Sequence, residues 1–288
     1  MKNVTQIFGE TGQTIMTNLS TLVGEFRDGN IVYNFLSEDE FRDLASKDMG
    51  RAGIQYWQEI LDRAHFSSAT AIIRTVNWVR AIDSAYEDDN FLSFMSSVRA
   101  LTEFSGDTIH SLNLVPLTIA ENSSEIKRML GGNSNPFISS SDLENSLIHY
   151  THARKVKNGE DSADSHRAER THVYVKSLEP YAPRIYDMYT ELCGYAHPAA
   201  QSVGAHMRSL NENDWSLTVD PGRDLISAFI VEWQSQFSEL PMLATNQALC
   251  TLKVLSAIDG QRYGSDFASK VDLSQIPLWV KCASHFDL

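Results

Sequence analysis

Apolar residues recur every three or four positions through much of the first half of the chain, in two stripes within residues 69–85 and 91–104. This spacing places side chains on one face of a helix. Residues 54–105 contain neither glycine nor proline, the residues that most often interrupt helices. The pattern predicts one helix after another, with Asn90 capping the second. The stripes comprise Ala69, Ile72, Ile73, Val76, Val79, Ile82 and Ala85, then Phe91, Phe94, Met95, Val98, Leu101 and Phe104.

Two Ser-x-x-Glu sequences predict where further helices begin. In such a capping box the serine hydroxyl and the glutamate carboxylate each bind a free backbone N–H of the first turn. Ser37 with Glu40 precedes one apolar run, and Ser141 with Glu144 precedes another. Later in the chain, Pro183 marks the start of a helix that we expect to end near His197, because the following proline disfavours helical geometry.

The segment 198–220 is predicted to be irregular, with residues 215–219 forming an isolated extended stretch that has no obvious partner. Asp220 and Pro221 then predict a helix start, as cap and first helical residue. We expect Pro241 to break or kink that helix. Its predicted buried stripe is Ile226, Phe229, Ile230, Trp233, Phe237 and Leu240.

The alternation of strands and helices that marks a parallel sheet is missing, and no internal repeat is visible. The predicted fold class is therefore all-α, a helical bundle with an irregular segment around residues 198–220. We expect N-terminal helices over residues 1–66 and a main bundle over 67–288, with a single domain as the alternative.

Charge narrows the range of partners. The 288 residues carry 37 acids and 24 bases, a net charge of −13. An acidic surface repels phosphate backbones and anionic lipid, so we expect no membrane partner, and RNA is disfavoured. The window 149–184 is instead slightly basic, since it has seven Lys/Arg against five Asp/Glu, together with four histidines. An anion would bind there first, although a solvated charged face is the simpler interpretation.

The three cysteines, Cys193, Cys250 and Cys282, form no CxxC pair, and their odd number suits a reducing compartment. The first residues do not form the apolar segment of a signal peptide, and the chain has no run of 18 apolar residues that would form a transmembrane helix. We therefore expect a cytoplasmic protein. Glycine-rich phosphate loops and metalloprotease motifs are also missing. The sequence therefore predicts no cofactor.

Three carboxylate–imidazole pairs leave a helical di-metal oxidoreductase as an alternative, since such sites use Glu-x-x-His spacing. His149 and His152 form a fourth candidate pair of metal ligands. The carboxylate–imidazole pairs are Asp62 with His65, Asp107 with His110, and Glu169 with His172.

His197 and Cys193 lie one turn apart at the end of a predicted helix, the spacing of a thiol beside an imidazole. Catalytic Cys/His pairs normally come from separate elements, which favours a structural cysteine. At a helix C-terminus we expect the His197 imidazole to donate to a backbone carbonyl and anchor the segment that follows.

Two stretches carry a resemblance to a known family. Arg99-Ala100-Leu101-x-Glu103 lies in one predicted helix, and Tyr189-x-x-Leu192-Cys193-x-Tyr195-Ala196-His197-Pro198 ends another. Together they resemble a pattern in bacterial helical proteins and, more distantly, the HEPN superfamily of small helical bundles. The resemblance covers residues 69–198. It implies a homo-oligomer in a prokaryotic defence or toxin-type system, with a protein partner from the same operon as a further expectation.

The resemblance also implies candidate site residues. It makes Arg99, Glu103 and Tyr189 candidate binding residues, and Arg170 joins them from the basic window. Active HEPN proteins cleave RNA through an Arg-x(4–6)-His motif, which leaves a metal-independent ribonuclease as the main alternative.

The catalytic motif is incomplete at His197, since positions 190–192 hold Thr190, Glu191 and Leu192 rather than arginine. Arg167 and His172 do have the required spacing, so the candidate catalytic residues are Arg167, His172 and, without a matching arginine, His197. An imidazole beside a guanidinium can deprotonate a 2′-hydroxyl and stabilise the phosphate charge. Whether the chain is an enzyme stays open at this point.

Overall fold

The computed structural model describes residues 1–29, 31–133, 138–157 and 159–286, and nearly all of its regular secondary structure is helical. Besides the helices there are a 3-10 turn (Asp164–His166) and the strands β1 (Met207–Ser209) and β2 (Trp215–Leu217). The predicted all-α fold class is confirmed. The helices are α1 (Val4–Asp28), α2 (Glu38–Lys47), α3 (Met49–Glu87), α4 (Phe91–Leu112), α5 (Val115–Glu121), α6 (Ser123–Leu130), α7 (Ser141–His152), α8 (Thr171–Lys176), α9 (Ile185–Ala196), α10 (Ala200–Gly204), α11 (Gly222–Glu232), α12 (Gln234–Leu243), α13 (Asn246–Ile258), α14 (Gly260–Tyr263), α15 (Asp266–Lys270) and α16 (Pro277–Ala283).

Both long helices expected from the apolar stripes are present as α3 and α4. Every residue of the α4 stripe is buried, and so is every residue of the α3 stripe except the half-buried Ile73. Asn90 caps α4 as predicted, since its side-chain oxygen accepts from the backbone N–H of Ser93 at 3.0 Å. Hydrophobic periodicity therefore located α4 and the second half of α3, but it did not predict that α3 extends back to Met49.

The chain forms two compact units, each assembled from three segments. The first unit comprises residues 1–20, 73–110 and 169–245, and the second comprises 21–72, 111–168 and 246–288. The expected division after residue 66 falls inside the continuous helix α3. The units follow the packing of distant segments, which local composition does not record.

Aromatic side chains form the core of the first unit. The Phe237 ring lies 5.8 Å from that of Phe8 and 6.1 Å from that of Phe94, measured between centroids. Phe229 meets Phe237 edge-on at 6.0 Å. These rings come from α1, α4, α11 and α12, so the unit depends on segments far apart in sequence.

In the second unit, α13 packs against α5 and α16. Residues 247–252 of α13, together with Val254 and Leu255, are buried. The indole of Trp57 on α3 is also buried, and its Nε1 donates to the carbonyl of Ile138 at 2.9 Å. A polar group inside this core is thus satisfied by backbone rather than by water.

The two predicted capping boxes have different outcomes. Ser37 and Glu40 form the complete box at the start of α2. The second box is wrong, because Ser141 is already the first residue of α7 and Ser140 occupies the cap position without a side-chain bond. A shift of one residue moves the hydroxyl out of reach of the free N–H groups, and the Ser-x-x-Glu spacing cannot reveal such a shift.

The helix after residue 220 also starts and breaks elsewhere than expected. Pro221 is the cap residue, and α11 begins at Gly222. Glycine is required at this position because a Cβ would lie 1.7 Å from the carbonyl oxygen of Asp89. The stripe from Ile226 to Leu240 is buried as predicted, but the interruption lies at Trp233, with φ −109° and ψ 24°. At this interruption the Trp233 indole donates a hydrogen bond to Glu191 at 3.0 Å. The break expected at Pro241 does not occur, because Pro241 lies inside the continuous helix α12.

Residues 198–220 are more ordered than predicted. They contain α10 and an antiparallel hairpin in which Met207 faces Leu217 and Ser209 faces Trp215. The extended stretch at 215–217 therefore has a partner. The sequence concealed that partner because Met207-Arg208-Ser209 lacks the β-branched, alternating pattern typical of a strand.

Candidate functional site

The candidate site lies in the first unit, where α4 and α9 bring three of the predicted binding residues together. Arg99 and Glu103 are one turn apart on α4, beside the buried Val98 and Leu101. Helix α9 buries Ile185, Met188, Tyr189 and Leu192, and this burial turns the Tyr189 side chain toward Glu103. Local periodicity thus orients each helix, and packing joins them.

A single carboxylate oxygen is the centre of this cluster. Glu103 Oε1 accepts from Arg99 Nε at 2.9 Å and from the Tyr189 hydroxyl at 3.0 Å. The Arg99 guanidinium carbon lies 5.8 Å from the Tyr189 ring centroid. The Arg99 and Glu103 side chains are only 23% and 29% exposed, so their ion pair is less screened by solvent than a surface pair. We refer to Arg99, Glu103 and Tyr189 as the Arg99 cluster.

Burial and neighbouring groups shift the pKa values of two residues of this cluster. Burial is the main cause that raises the pKa of Tyr189, and the adjacent Cys193 thiol and Glu103 raise it further. Burial is the largest single influence on Arg99 and lowers its pKa, but Glu103, Cys193 and Tyr189 together outweigh it, so that the pKa of Arg99 is raised. The cluster therefore holds a protonated phenol and a permanently charged guanidinium, which suit recognition better than proton transfer.

His197 lies outside the Arg99 cluster. It is the cap residue at the end of α9, as predicted, and its backbone N–H donates to the Cys193 carbonyl at 3.0 Å. Its imidazole is exposed and makes no hydrogen bond to any residue that the structure describes, so the expected anchoring bond is wrong. The extended φ/ψ of the cap residue directs this ring toward solvent rather than toward the last turn.

The residues of the predicted ribonuclease motif lie in a turn and at the start of the helix that follows it. Arg167 is in the second unit, where its guanidinium donates to the Ser162 carbonyl at 3.3 Å and lies 3.6 Å from Asp164. His172 is exposed in the first turn of α8, in the first unit. Arg170 precedes α8 as its cap residue and is also exposed.

Members of two of the carboxylate–imidazole pairs contact other side chains. Asp62 binds Arg262, while His65 Nδ1 binds the Tyr33 hydroxyl at 2.7 Å. The His110 ring packs edge-on against Tyr174, with centroids 5.1 Å apart. Within the described parts of the chain, no three His, Cys, Asp or Glu side chains are grouped closely enough to hold a metal ion.

A strongly buried charged network in the second unit is a feature that sequence reasoning missed. The Asp62 side chain is 1% exposed and accepts two hydrogen bonds from Arg262, at 3.0 and 2.8 Å, plus one from the Tyr263 hydroxyl at 2.6 Å. Gln58 Nε2 donates to the same hydroxyl at 2.8 Å. The sequence drew attention to Asp62 only through its spacing from His65, and no residue near it in sequence indicated its partner 200 positions away.

None of the helices that the structure describes is long and apolar enough to cross a membrane. Comparison with known proteins finds no matching family model, no matching curated protein and no matching solved structure.

Proposed function

We propose that this chain is a cytoplasmic, HEPN-like helical protein that acts through assembly rather than catalysis, within a prokaryotic defence or toxin-type system. The observation that carries the proposal is the convergence of Arg99, Glu103 and Tyr189. The resemblance alone singled out these residues, and Tyr189 meets Glu103 across 86 positions of sequence. Residues taken at random from two distant helices would not be expected to form one hydrogen-bonded cluster.

The chemistry of the Arg99 cluster favours a structural or recognition role. Its arginine is paired with a carboxylate and its phenol is held protonated by burial. A metal-independent ribonuclease needs an imidazole poised near a free guanidinium. The Arg99 cluster contains no imidazole, and Arg167 is bound to the Ser162 carbonyl. A di-metal site is equally unsupported, since Asp62 is held by Arg262 instead.

Light scattering on the purified protein and an RNA cleavage assay on the same sample test this proposal together. We expect an oligomer at micromolar concentration and no cleavage of a labelled single-stranded RNA without added metal. Expression of the wild type and of His172→Ala in a bacterial host should give equal growth.

The paired measurements separate the alternatives. RNA cleavage that disappears in His172→Ala but persists in His197→Ala would overturn the non-catalytic role and establish the ribonuclease alternative. A monomeric wild type would overturn assembly. Arg99→Ala, with the exposed Arg80→Ala as its control, then tests whether the Arg99 cluster contributes to assembly or only to folding.

A further inference from the structure

Two histidines stack against each other in the second unit. The imidazole of His152, the last residue of α7, lies 5.9 Å from that of His166 in the 3-10 turn, measured between ring centroids, and the two ring planes are inclined by 30°. Sequence spacing made His149 the expected neighbour of His152, whereas packing provides His166. Because His152 is exposed and His166 is half-buried, both rings border solvent.

The Thr151 hydroxyl determines which nitrogen of His152 is available to a ligand. This hydroxyl has a single proton, which it donates to the Leu147 carbonyl at 2.7 Å. The 2.6 Å contact between Thr151 Oγ1 and His152 Nδ1 therefore requires Nδ1 to be the donor. The other nitrogen, Nε2, makes no hydrogen bond to any residue that the structure describes. It accepts a hydrogen bond when the ring is neutral and donates one when the ring is protonated.

A third cationic group, Arg63 on α3, acts on the same ring. Its guanidinium carbon lies 4.3 Å from the Phe35 ring centroid, and it has no carboxylate partner in the described part of the chain. Burial lowers the pKa of His152 most, and the charges of Arg63 and His166 lower it further. The opposing influence comes from the neutral Ile148 carbonyl rather than from a carboxylate. We refer to His152, His166 and Arg63, which all belong to the second unit, as the His152 cluster.

The neighbouring arginines are already paired with acids. Arg154 forms an ion pair with Glu160, and the Arg167 guanidinium lies 3.6 Å from the Asp164 carboxylate. These pairs balance their own charges, whereas the groups of the His152 cluster become positive together when the imidazoles are protonated. Positive charge without a counter-charge is therefore concentrated at the His152 cluster, in a chain whose net charge is −13.

The donors of this cluster match a small oxyanion. A guanidinium presents several N–H groups in one plane, and each protonated imidazole presents further N–H donors, so together they can bind oxygens of one phosphate group. A metal ion is disfavoured because Arg63 repels cations and no third metal-ligating side chain joins the two histidines in the described residues. A long polyanion such as RNA is disfavoured because it would extend over an acidic surface.

We propose that the His152 cluster is a binding site for a small phosphate monoester. Arg63 and the protonated rings of His152 and His166 donate hydrogen bonds to its phosphate oxygens. Binding is coupled to proton uptake, because the anion favours the protonated imidazole that Arg63 disfavours in the free protein. This site is separate from the assembly proposed above, so either proposal can fail while the other stands.

Calorimetric titration of inorganic phosphate and of phenyl phosphate into wild type, Arg63→Gln and Lys155→Gln tests the site. Both variants remove one positive charge from the second unit, but Lys155 is exposed and is not among the groups that act on His152. We expect saturable binding of both anions to the wild type. Arg63→Gln should weaken it at least about tenfold and Lys155→Gln less than about twofold, with unchanged helical circular dichroism spectra.

A second readout uses sulfate and the imidazole protons seen by nuclear magnetic resonance. The charge of sulfate is constant between about pH 5 and about pH 8, the interval in which histidines titrate. We expect sulfate to bind at least about tenfold more tightly at the lower pH and to raise the titration midpoint of His152. The midpoint of the exposed His172 should not change. His166→Gln should weaken sulfate binding without requiring any change at Arg63.

The possible results separate the alternatives. If phosphate, phenyl phosphate and sulfate all fail to saturate the protein below about 10 mM, the proposal is overturned. Equal weakening by Arg63→Gln and Lys155→Gln would overturn the assignment to the His152 cluster. Binding of Ni²⁺ that Arg63→Gln strengthens, without any phosphate binding, would identify a metal site instead. An RNA oligonucleotide that displaces phenyl phosphate more effectively per phosphate than inorganic phosphate does would contradict a small ligand. A monomeric protein that binds phosphate as expected would overturn assembly alone.

Discussion

The Tyr263 hydroxyl donates a 2.6 Å hydrogen bond to the carboxylate of Asp62, 201 positions earlier in the chain. Because Asp62 is almost fully buried and also binds the Arg262 guanidinium through both oxygens, the network joins α3 to α14. A buried carboxylate costs folding free energy unless it is fully paired, and here both Arg262 and Tyr263 donate to it. This network is therefore a major part of the electrostatics of the second unit.

We expect Asp62→Asn to reduce the free energy of unfolding by roughly 2–3 kcal/mol, because it leaves a guanidinium without its counter-charge. This loss of unfolding free energy is smaller than that expected for a fully buried pair, because the Arg262 side chain is 34% exposed. Urea denaturation followed by circular dichroism measures the effect. Asp43→Asn, at an exposed pair with Lys47, serves as the control and should change stability negligibly. Equal losses in the two variants would contradict a special role for the Asp62 network.

His65 makes stability depend on pH. Burial is the main cause that lowers its pKa to about 4, with Arg262 lowering it further and Asp62 opposing. In the unfolded chain an ordinary histidine has a pKa of about 6.5. The unfolded state therefore binds the proton more readily, and the stabilisation present above a pH of about 6.5 is lost as pH falls toward about 4.

Denaturation midpoints measured from about pH 7 to about pH 4 should reveal this loss, which amounts to at most about 3 kcal/mol for a shift of this size. His65→Gln should flatten the pH dependence across that interval, whereas His172→Gln, at an exposed histidine, should leave it unchanged. An identical pH slope in wild type and His65→Gln would show that another group is responsible.

Gly106 permits the close approach of α4 and the end of α8. A Cβ at this position would lie 2.5 Å from the carbonyl oxygen of Tyr174, and the Gly106 carbonyl accepts from the Ser177 hydroxyl at 3.2 Å. We expect Gly106→Ala to lower the free energy of unfolding by about 1–3 kcal/mol, because the backbones must separate.

Gly24→Ala provides the matched comparison on α1, since a Cβ at that position would extend into open space. That substitution should raise stability by about 0.5–1 kcal/mol, because alanine is the better helix former. Thermal melts of the two variants should thus shift in opposite directions. Two shifts of the same sign would contradict the packing argument for Gly106.

The Arg99 cluster should show energetic coupling. Tyr189→Phe and Glu103→Gln each disturb the hydrogen bond between these side chains, and each should cost about 1 kcal/mol. The double variant should lose less than the sum, by roughly 0.5 kcal/mol or more. Tyr186→Phe, one turn earlier on α9, is the control and should be additive with Glu103→Gln. Additivity in both cycles would mean that Tyr189 and Glu103 do not interact in solution.

The sequence by itself determined the helical class, the helix α4 and the second half of α3, the cap at Asn90 and the end of α9 at His197. Each of these depends on residues within about one or two turns of one another, which is the range over which periodicity and capping act. The resemblance named Arg99, Glu103 and Tyr189 individually, but local patterns could not show that Tyr189 contacts Glu103, which lies 86 positions earlier.

Only the tertiary structure decided which distant segments pack together. It divided the chain into two units of three segments each, paired Asp62 with Arg262, and supplied Met207 as the partner of Leu217. Such contacts are set by the burial of whole helix faces against one another, a property of the folded chain that no local pattern encodes.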